Sequence, residues 1–539
     1  MLRVASCALL VVLLTVVGCP AASFFNPDAN VAEGEGEGEI SGEPPADPCA
    51  PVADGTASIV EGDALDVVIR CSTGKVVTFE VPSIPALPAG LALAADNHLR
   101  WQTDLDDATV VDVEVRDPDT REKVIVHVAV ADAFGIEGNV AVVDPLAYTE
   151  EFGLPVVFLS AQPQREEYVA AQLVAAGHRY RIETKLRGAS SLGYPKRSFT
   201  LKFEQTDRFY LPAREGQSTA DSFADKKKVV LTSTFDDNAY VRQRLSYQVW
   251  NRTGAAAGRE HITIQSTSVV VYIDGDYFGL YTMTDHVDRD LFEESLGLED
   301  GGQLYKSINH DANFRNTDNP SAGYERRDEP DVDVIEPFSD MNALVMFANT
   351  SNDDDFASGL DAHIDVDDVI NWWVFATAIT GEDSYGKNAY FYRPSVAINA
   401  DGVECTPVFR FAPWDFNQSF GQSWEASRTG SDIAADEGWP MDTNKLWDRL
   451  AHGVRSAEVR AIYGEVIRGN LDEAVVLGLF EAMQAETELA ARKDASVWAD
   501  DYDGYFGGRG GDDYDSEVQL IRDWIPARWS YLREHFPTN

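Results

Sequence analysis

The feature that most limits how this chain can fold is a change of period along its length. Earlier segments alternate apolar and polar residues, whereas after residue 365 the pattern is mostly helical. Period two is how a half-buried strand presents its faces, and three-four spacing marks one face of a helix. Strands are expected at Leu154–Leu159, Tyr180–Leu186 and Ser198–Phe203, with a helix-like run at Glu166–Ala176. Ser268–Ile273 turns through Asp274-Gly275-Asp276 into Tyr277–Met283 and reads as a hairpin. At the C-terminus, Val518, Ile521, Ile525, Trp529, Leu532 and Phe536 follow helical spacing, with Pro526 as an expected kink. Strands first and helices later predict an α+β fold with a sheet lobe and a helical lobe.

The N-terminus has a different texture. Arg3 precedes an apolar run, Ala8 to Val17, that ends in Val16-Val17-Gly18-Cys19. A short apolar stretch behind one positive charge is the pattern of an export signal, here residues 1–18. Its ending resembles a bacterial lipobox, which implies lipidation of Cys19 and attachment to a membrane at the cell envelope or surface. Residues 19–49 contain the run Glu33-Gly34-Glu35-Gly36-Glu37-Gly38-Glu39 and too little apolar surface to order themselves, so they read as a disordered acidic tether. Of the five cysteines, Cys7 leaves with the signal and Cys19 takes lipid. Cys49 and Cys71 are then the natural disulfide in an exported chain, with Cys405 single.

Residues 50–133 return to period two. Leu65, Val67 and Ile69 alternate with their neighbours, as do Val111, Val113 and Val115, and then Val124, Val126, Val128 and Val130. Short strands between Pro/Gly/Asp turns predict a small antiparallel sandwich. With Leu87-Pro88-Ala89-Gly90-Leu91 and Leu99-Arg100-Trp101, the segment resembles bacterial immunoglobulin-like modules, which implies a spacer.

Charge narrows the partners. The chain carries 44 Lys and Arg against 90 Asp and Glu, a net charge of −46. That field repels a phosphate backbone, so nucleic acid is not an expected partner. With so many carboxylates a glycosidase-like acidic pair can be found almost anywhere, and it carries little meaning.

Three clusters stand out against this background. Only 12 lysines exist, and Lys185, Lys196 and Lys202 fall close together beside Arg187 and Arg197, around the turn Gly188-Ala189-Ser190-Ser191. Such a turn can present N–H groups and cations to an anion, or can simply be a hairpin with solvated basic residues. The second cluster, Asp383-Ser384-Tyr385-Gly386-Lys387-Asn388, spaces an Asp five positions before an Asn, as in the protein-kinase catalytic loop. The third, Trp414-Asp415-Phe416-Asn417-Gln418-Ser419-Phe420-Gly421, holds an Asp suited to Mg²⁺, or one that caps a turn.

In order, Arg187-Gly188…Lys196-Arg197, Asp236-Asp237-Asn238…Arg242, Gly279-Leu280-Tyr281, Asp383…Asn388 and Trp414-Asp415-Phe416…Gly421 resemble the blocks of the spore coat protein H (CotH) kinase family. The resemblance spans about 140–535 and places a CotH kinase-like domain at 140–537. It implies an atypical protein-kinase-like, two-lobed fold that transfers the ATP γ-phosphate to hydroxyls of a surface or coat protein. Asp383 is then the catalytic Asp, and Asn388 and Asp415 hold Mg²⁺ or Mn²⁺. Arg187 and either Lys196 or Lys202 would face the phosphates. Two positions depart from the family. Asp285 stands where a Glu is usual, which shortens any ion pair that orients the lysine. Asn417 stands where a second Asp is frequent, which removes a charge near the metal. His286 and Asp288 read as exposed loop residues rather than metal ligands, and Asp500–Glu517 reads as an acidic insertion rather than a calcium loop. A catalytically weak or inactive surface protein retaining the same fold is the alternative reading.

Overall fold

The computed structural model describes residues 49–536 apart from 55–56, 61–63, 84–85, 104–108, 132–143, 161, 165, 215–221, 255–260, 299–300, 328–336, 382–383, 385–386, 396–406, 423–443 and 504–513. The expected signal, Cys19, the tether up to residue 48, Asp383 and Cys405 lie outside the described residues.

The N-terminal unit is all β. Strands β1 (Pro51–Asp54), β3 (Ala64–Cys71), β5 (His98–Gln102) and β4 (Ala92–Leu93) form one sheet. Strands β2 (Ser58–Val60), β7 (Lys123–Ala131) and β6 (Thr109–Arg116) form a second. Leu65, Val67 and Ile69 of β3 and Val126, Val128 and Val130 of β7 turn inward onto one core around Leu99 and Trp101. A disulfide joins Cys49 to Cys71, with their Cα atoms 5.3 Å apart.

The main body is α+β. After the short β8 (Glu150–Glu151), β9 (Leu154–Leu159) pairs in parallel with β16 (Ser266–Ile273) on one edge. On the other edge it pairs with β10 (Val169–Ala175). The remaining neighbours are β11 (His178–Arg187), β12 (Ser198–Phe203), β15 (Lys228–Thr232) and β17 (Asp276–Asp285). The sheet therefore closes on itself as a barrel in the order β9-β10-β11-β12-β15-β17-β16. Its interior is filled by Leu173, Ile182, Phe199, Leu201, Val271, Met283 and their neighbours. The small pair β13 (Phe209–Leu211) and β14 (Phe223–Lys226) adds Phe209, Leu211 and Phe223 to that interior.

One element differs from its sequence expectation. The stretch 166–176 contains strand β10, not a helix. Ala176 and Gly177 take φ of 51° and 74°, the two left-handed residues of a tight hairpin turn, and Ala175 pairs with His178. Leu173, Val174 and Ala175 are buried on both faces, so no alternation marks the strand's end and the alanines read as helix formers.

The outer barrel face packs on helices. Of these, α1 (Arg242–Thr253) lies against β16 and α8 (Glu473–Val497) against β17. The helical half also holds α2 (Arg289–Leu296), α3 (Ser339–Thr350), α4 (Asp353–Gly359), α5 (Val366–Ala378), α6 (Lys445–Trp447), α7 (Ser456–Val466), α9 (Ala499–Asp503) and α10 (Tyr514–His535). Val156, Phe158, Val230 and Val270 share one core with Trp250, Phe375, Phe480 and Trp529. Within this half lies a second sheet, β19 (Tyr324–Arg327), β18 (Gln303–Ser307), β20 (Ala389–Arg393) and β21 (Arg410–Pro413), in that order. Pro526 lies inside α10, which runs on to His535. No helix among the described residues is long and apolar enough to cross a membrane.

Candidate functional site

The second sheet decides where two candidate residues meet. Strands β20 and β21 are antiparallel, and Ala389 faces Pro413. The residue before one strand and the residues after the other are therefore neighbours. Trp414 donates its N–H to the Asn388 carbonyl at 2.9 Å, and the Asn388 side-chain amide donates to the Asp415 carbonyl at 3.4 Å. Both residues are left-handed, with φ of 60° at Asn388 and 61° at Asp415. Asn and Asp tolerate that region best among residues with a side chain, and such conformations persist where the surroundings over-determine them.

The surroundings do so here. Ser246 of α1 donates its hydroxyl to the Phe416 carbonyl at 2.9 Å. Fully buried Arg242 donates from Nε to the Ser419 carbonyl at 3.0 Å and from Nη1 to Asp237 at 2.7 Å, and it also meets Glu517 of α10. Asp237 in turn accepts the backbone N–H of Arg242 at 2.8 Å and fixes the start of α1. Asp236 accepts hydrogen bonds from the side-chain amides of Asn417 at 2.8 Å and Gln418 at 3.1 Å. Gly381, in the segment leading to Asn388, lies so close to Phe416 that a Cβ would come 2.6 Å from its ring. Arg528 of α10 donates to the carbonyls of Thr377 and Ala378 at 2.8 and 3.3 Å, holding the end of α5 that leads into this segment. Helix C-termini carry unsatisfied carbonyls and partial negative charge, so a buried guanidinium suits that position.

Cations gather over Asp415. The Arg187 guanidinium, at the end of β11, stacks on the Trp414 ring at 4.3 Å. Lys306 of β18 lies 5.7 Å from the rings of Trp414 and Tyr390. Burial, helped by repulsion from Arg187 and Arg327 and opposed by Asp415, pushes the Lys306 ammonium down to about 8. Burial likewise lowers Lys185, with Arg327, Lys228 and Arg187 adding to the shift. The Tyr247 hydroxyl, buried in α1, is pushed up by desolvation and then by the Asp415 charge. In a chain of net charge −46, side chains from the barrel and from the second sheet thus build a local positive field beside one carboxylate. Converging cations of this kind favour a polyanion.

The other lysines are placed differently. Lys196 has no exposed surface, and its ammonium meets Asp494 of α8 at 2.5 Å and the Leu280 carbonyl at 2.8 Å. Lys202 sits on the outside of the barrel, paired with Glu183 at 2.6 Å, in an open groove with Arg181 and Lys228. Asp285 does not orient either lysine: it pairs with Lys226 at 2.8 Å. Asp288 is a buried cap rather than an exposed loop residue, accepting the Leu291 N–H at 3.1 Å at the start of α2. Lys306 and Asp494 were missed by sequence reasoning. The scarcity of lysine was the available signal for Lys306, whereas Asp494 is one acid among many on a long helix.

The donor set can be tested for a divalent ion on its chemistry. Asp415 is exposed and offers carboxylate oxygens. Asn388 uses its amide nitrogen on the Asp415 carbonyl, and its amide oxygen is the atom of the pair with metal-ligand chemistry. No group of three or more His, Cys, Asp or Glu among the described residues forms a metal cage. One carboxylate and one amide oxygen beside converging cations suit Mg²⁺ or Mn²⁺, which bind through few protein oxygens plus phosphate. The residues fit.

Comparison with known proteins shows the family. The chain is 21% identical over 386 residues to the inner spore coat protein H of Bacillus subtilis (strain 168), covering 69% of this chain and 91% of that protein. The family described as CotH kinase protein matches residues 184–532, well over half the chain and a span that includes Arg187, Lys306, Asn388 and Asp415. The chain belongs to the CotH kinase protein family.

Proposed function

We propose that this chain is a metal-dependent protein phosphotransferase that moves the ATP γ-phosphate to a hydroxyl of a surface or coat protein. The observation that carries the reading is the meeting of Asn388 and Asp415 at paired strand ends, with Arg187 and Lys306 beside them. The bound Mg²⁺ or Mn²⁺ would neutralise charge on the phosphates. Asp415 and Asn388 would hold it, and Arg187 and Lys306 would bind the phosphate oxygens. Their fixed positions supply orientation and electrostatic stabilisation, the main terms in phosphoryl transfer. Asp383 would accept the acceptor's hydroxyl proton as that oxygen bonds to the γ-phosphorus and the bond to the β-phosphate oxygen breaks, releasing ADP.

Here Lys306 takes the role that the family resemblance assigned to Lys196 or Lys202. Lys196 is enclosed with Asp494, and Lys202 lies on the outer barrel. The two-lobed body is read as kinase-like, and the N-terminal β unit as an immunoglobulin-like spacer on a lipid anchor at Cys19. Purified protein incubated with Mg²⁺ or Mn²⁺ and γ-labelled ATP should incorporate label, and Asp383→Ala should not. If wild type incorporates none with any coat or envelope protein offered, the enzyme reading fails.

A further inference from the structure

Asn417 lies two residues beyond Asp415 and is half-buried. Its amide nitrogen donates to Asp236 Oδ2 at 2.8 Å, and the buried Gln418 amide donates to the same oxygen at 3.1 Å. A third amide, from Gln422, donates to the Asp236 backbone carbonyl at 2.7 Å. A carboxylate oxygen can only accept, so these contacts fix the orientation of the Asn417 amide: nitrogen towards Asp236, oxygen turned away. The same contact draws electron density towards that oxygen, since a charge-assisted hydrogen bond polarises the donor.

We infer that Asp236 is a positioning residue for the metal, holding and polarising Asn417 so that its amide oxygen serves with Asp415 and Asn388. The inference rests on the metal-dependent reading above and deepens it. Asn417 provides the oxygen, and Asp236, on the other side of one hydrogen bond, provides the negative charge that an amide lacks. Outer carboxylates of this kind orient inner ligands and strengthen them, and their loss lowers metal affinity about 10–100-fold. The arrangement joins two distant pieces of chain, the turn before α1 and the loop after β21. The inner and outer residues of the metal side are thus joined by these three hydrogen bonds.

The test is Mn²⁺ titration of the full chain, followed by loss of the free-ion EPR signal, with a non-hydrolysable ATP analogue present. Asp236→Asn should weaken Mn²⁺ binding about 10-fold or more while the metal-free protein stays folded. Asn417→Asp alone sets two carboxylates against each other and should make binding pH-dependent, because the pair shares a proton. The exchange Asp236→Asn with Asn417→Asp moves the charge across the hydrogen bond and should recover most of the lost affinity. An unchanged Mn²⁺ affinity in Asp236→Asn overturns the inference. So does an exchanged variant that stays folded yet no better than the single one, since Asp236 would then be structural only. A wild-type chain that binds no Mn²⁺ overturns the metal-dependent reading itself, and this inference with it.

Discussion

Lys306 titrates in the range where its role can be seen. Its ammonium is pushed down to about 8 by burial and by neighbouring Arg187 and Arg327, so it is charged at neutral pH and loses its proton as the pH rises through that value. Phosphate binding that depends on this charge should therefore weaken between pH 7 and 9. In Lys306→Arg the guanidinium stays charged, and the pH dependence should flatten while affinity is largely kept. In Lys306→Met affinity should fall about 10-fold or more at pH 7, in line with about 1.5–3 kcal/mol for a hydrogen bond to a charged group. Nucleotide titration calorimetry at several pH values reads all three. Equal affinity in wild type and Lys306→Met would remove Lys306 from the site.

At the scale of elements, the joint between barrel and helices depends on one buried ion pair. Lys196 and Asp494 are fully buried, and Asp494 also accepts the Leu280 N–H at 2.7 Å and the Tyr502 hydroxyl at 2.6 Å. Gly279 has φ of 142°, and a Cβ there would overlap Asp494 and come 2.8 Å from Lys196 Cε. Gly279→Ala should thus destabilise through both backbone and contact. Asp494→Ala strands a buried ammonium and should cost about 3–5 kcal/mol, measurable by denaturant unfolding; a change under about 1 kcal/mol, the size of an ordinary surface effect, would contradict this account. Strand Ser198–Phe203 was legible from the alternation of its sequence and the hairpin Ser266–Ile273 to Asp276–Asp285 from its Asp-Gly-Asp turn, because neighbouring residues decide them. Strand β10 was not, because its two faces are buried by distant parts of the chain, Leu173 and Ala175 in the barrel interior and Val174 in the core shared with the helices. The site shows the same division. Asn388 and Asp415 were visible as motifs, but the partners of Lys196 and Asp236 lie 298 and 181 residues away in sequence. No local pattern records such pairings.

For the whole molecule, the N-terminal β unit and the main body have separate cores, so they should fail separately. Reducing Cys49–Cys71, which closes a separation of 22 residues, should destabilise the N-terminal unit by about 3 kcal/mol. Nucleotide affinity should be untouched, as a two-step thermal unfolding curve and calorimetry with and without reductant would show. In the main body, acid should act through a buried ion-pair cluster. Burial raises the Glu486 carboxyl, but the guanidinium groups of Arg244 and Arg214 outweigh it and hold the group below the ordinary carboxylate range. A depressed carboxylate contributes stability above its unfolded value, and that contribution is lost as pH falls through the folded one. Glu486→Gln should therefore lower stability at pH 7 and shrink its acid dependence. The claim on which the functional account turns is that Asp415, Asn388, Arg187 and Lys306 form one metal–nucleotide cleft. Calorimetric titration of ATP into the full chain, with and without Mg²⁺, tests it most directly. The account predicts binding that requires the metal and is lost in Asp415→Ala while the ligand-free protein stays folded. Metal-independent binding, or the same affinity in Asp415→Ala, would contradict it.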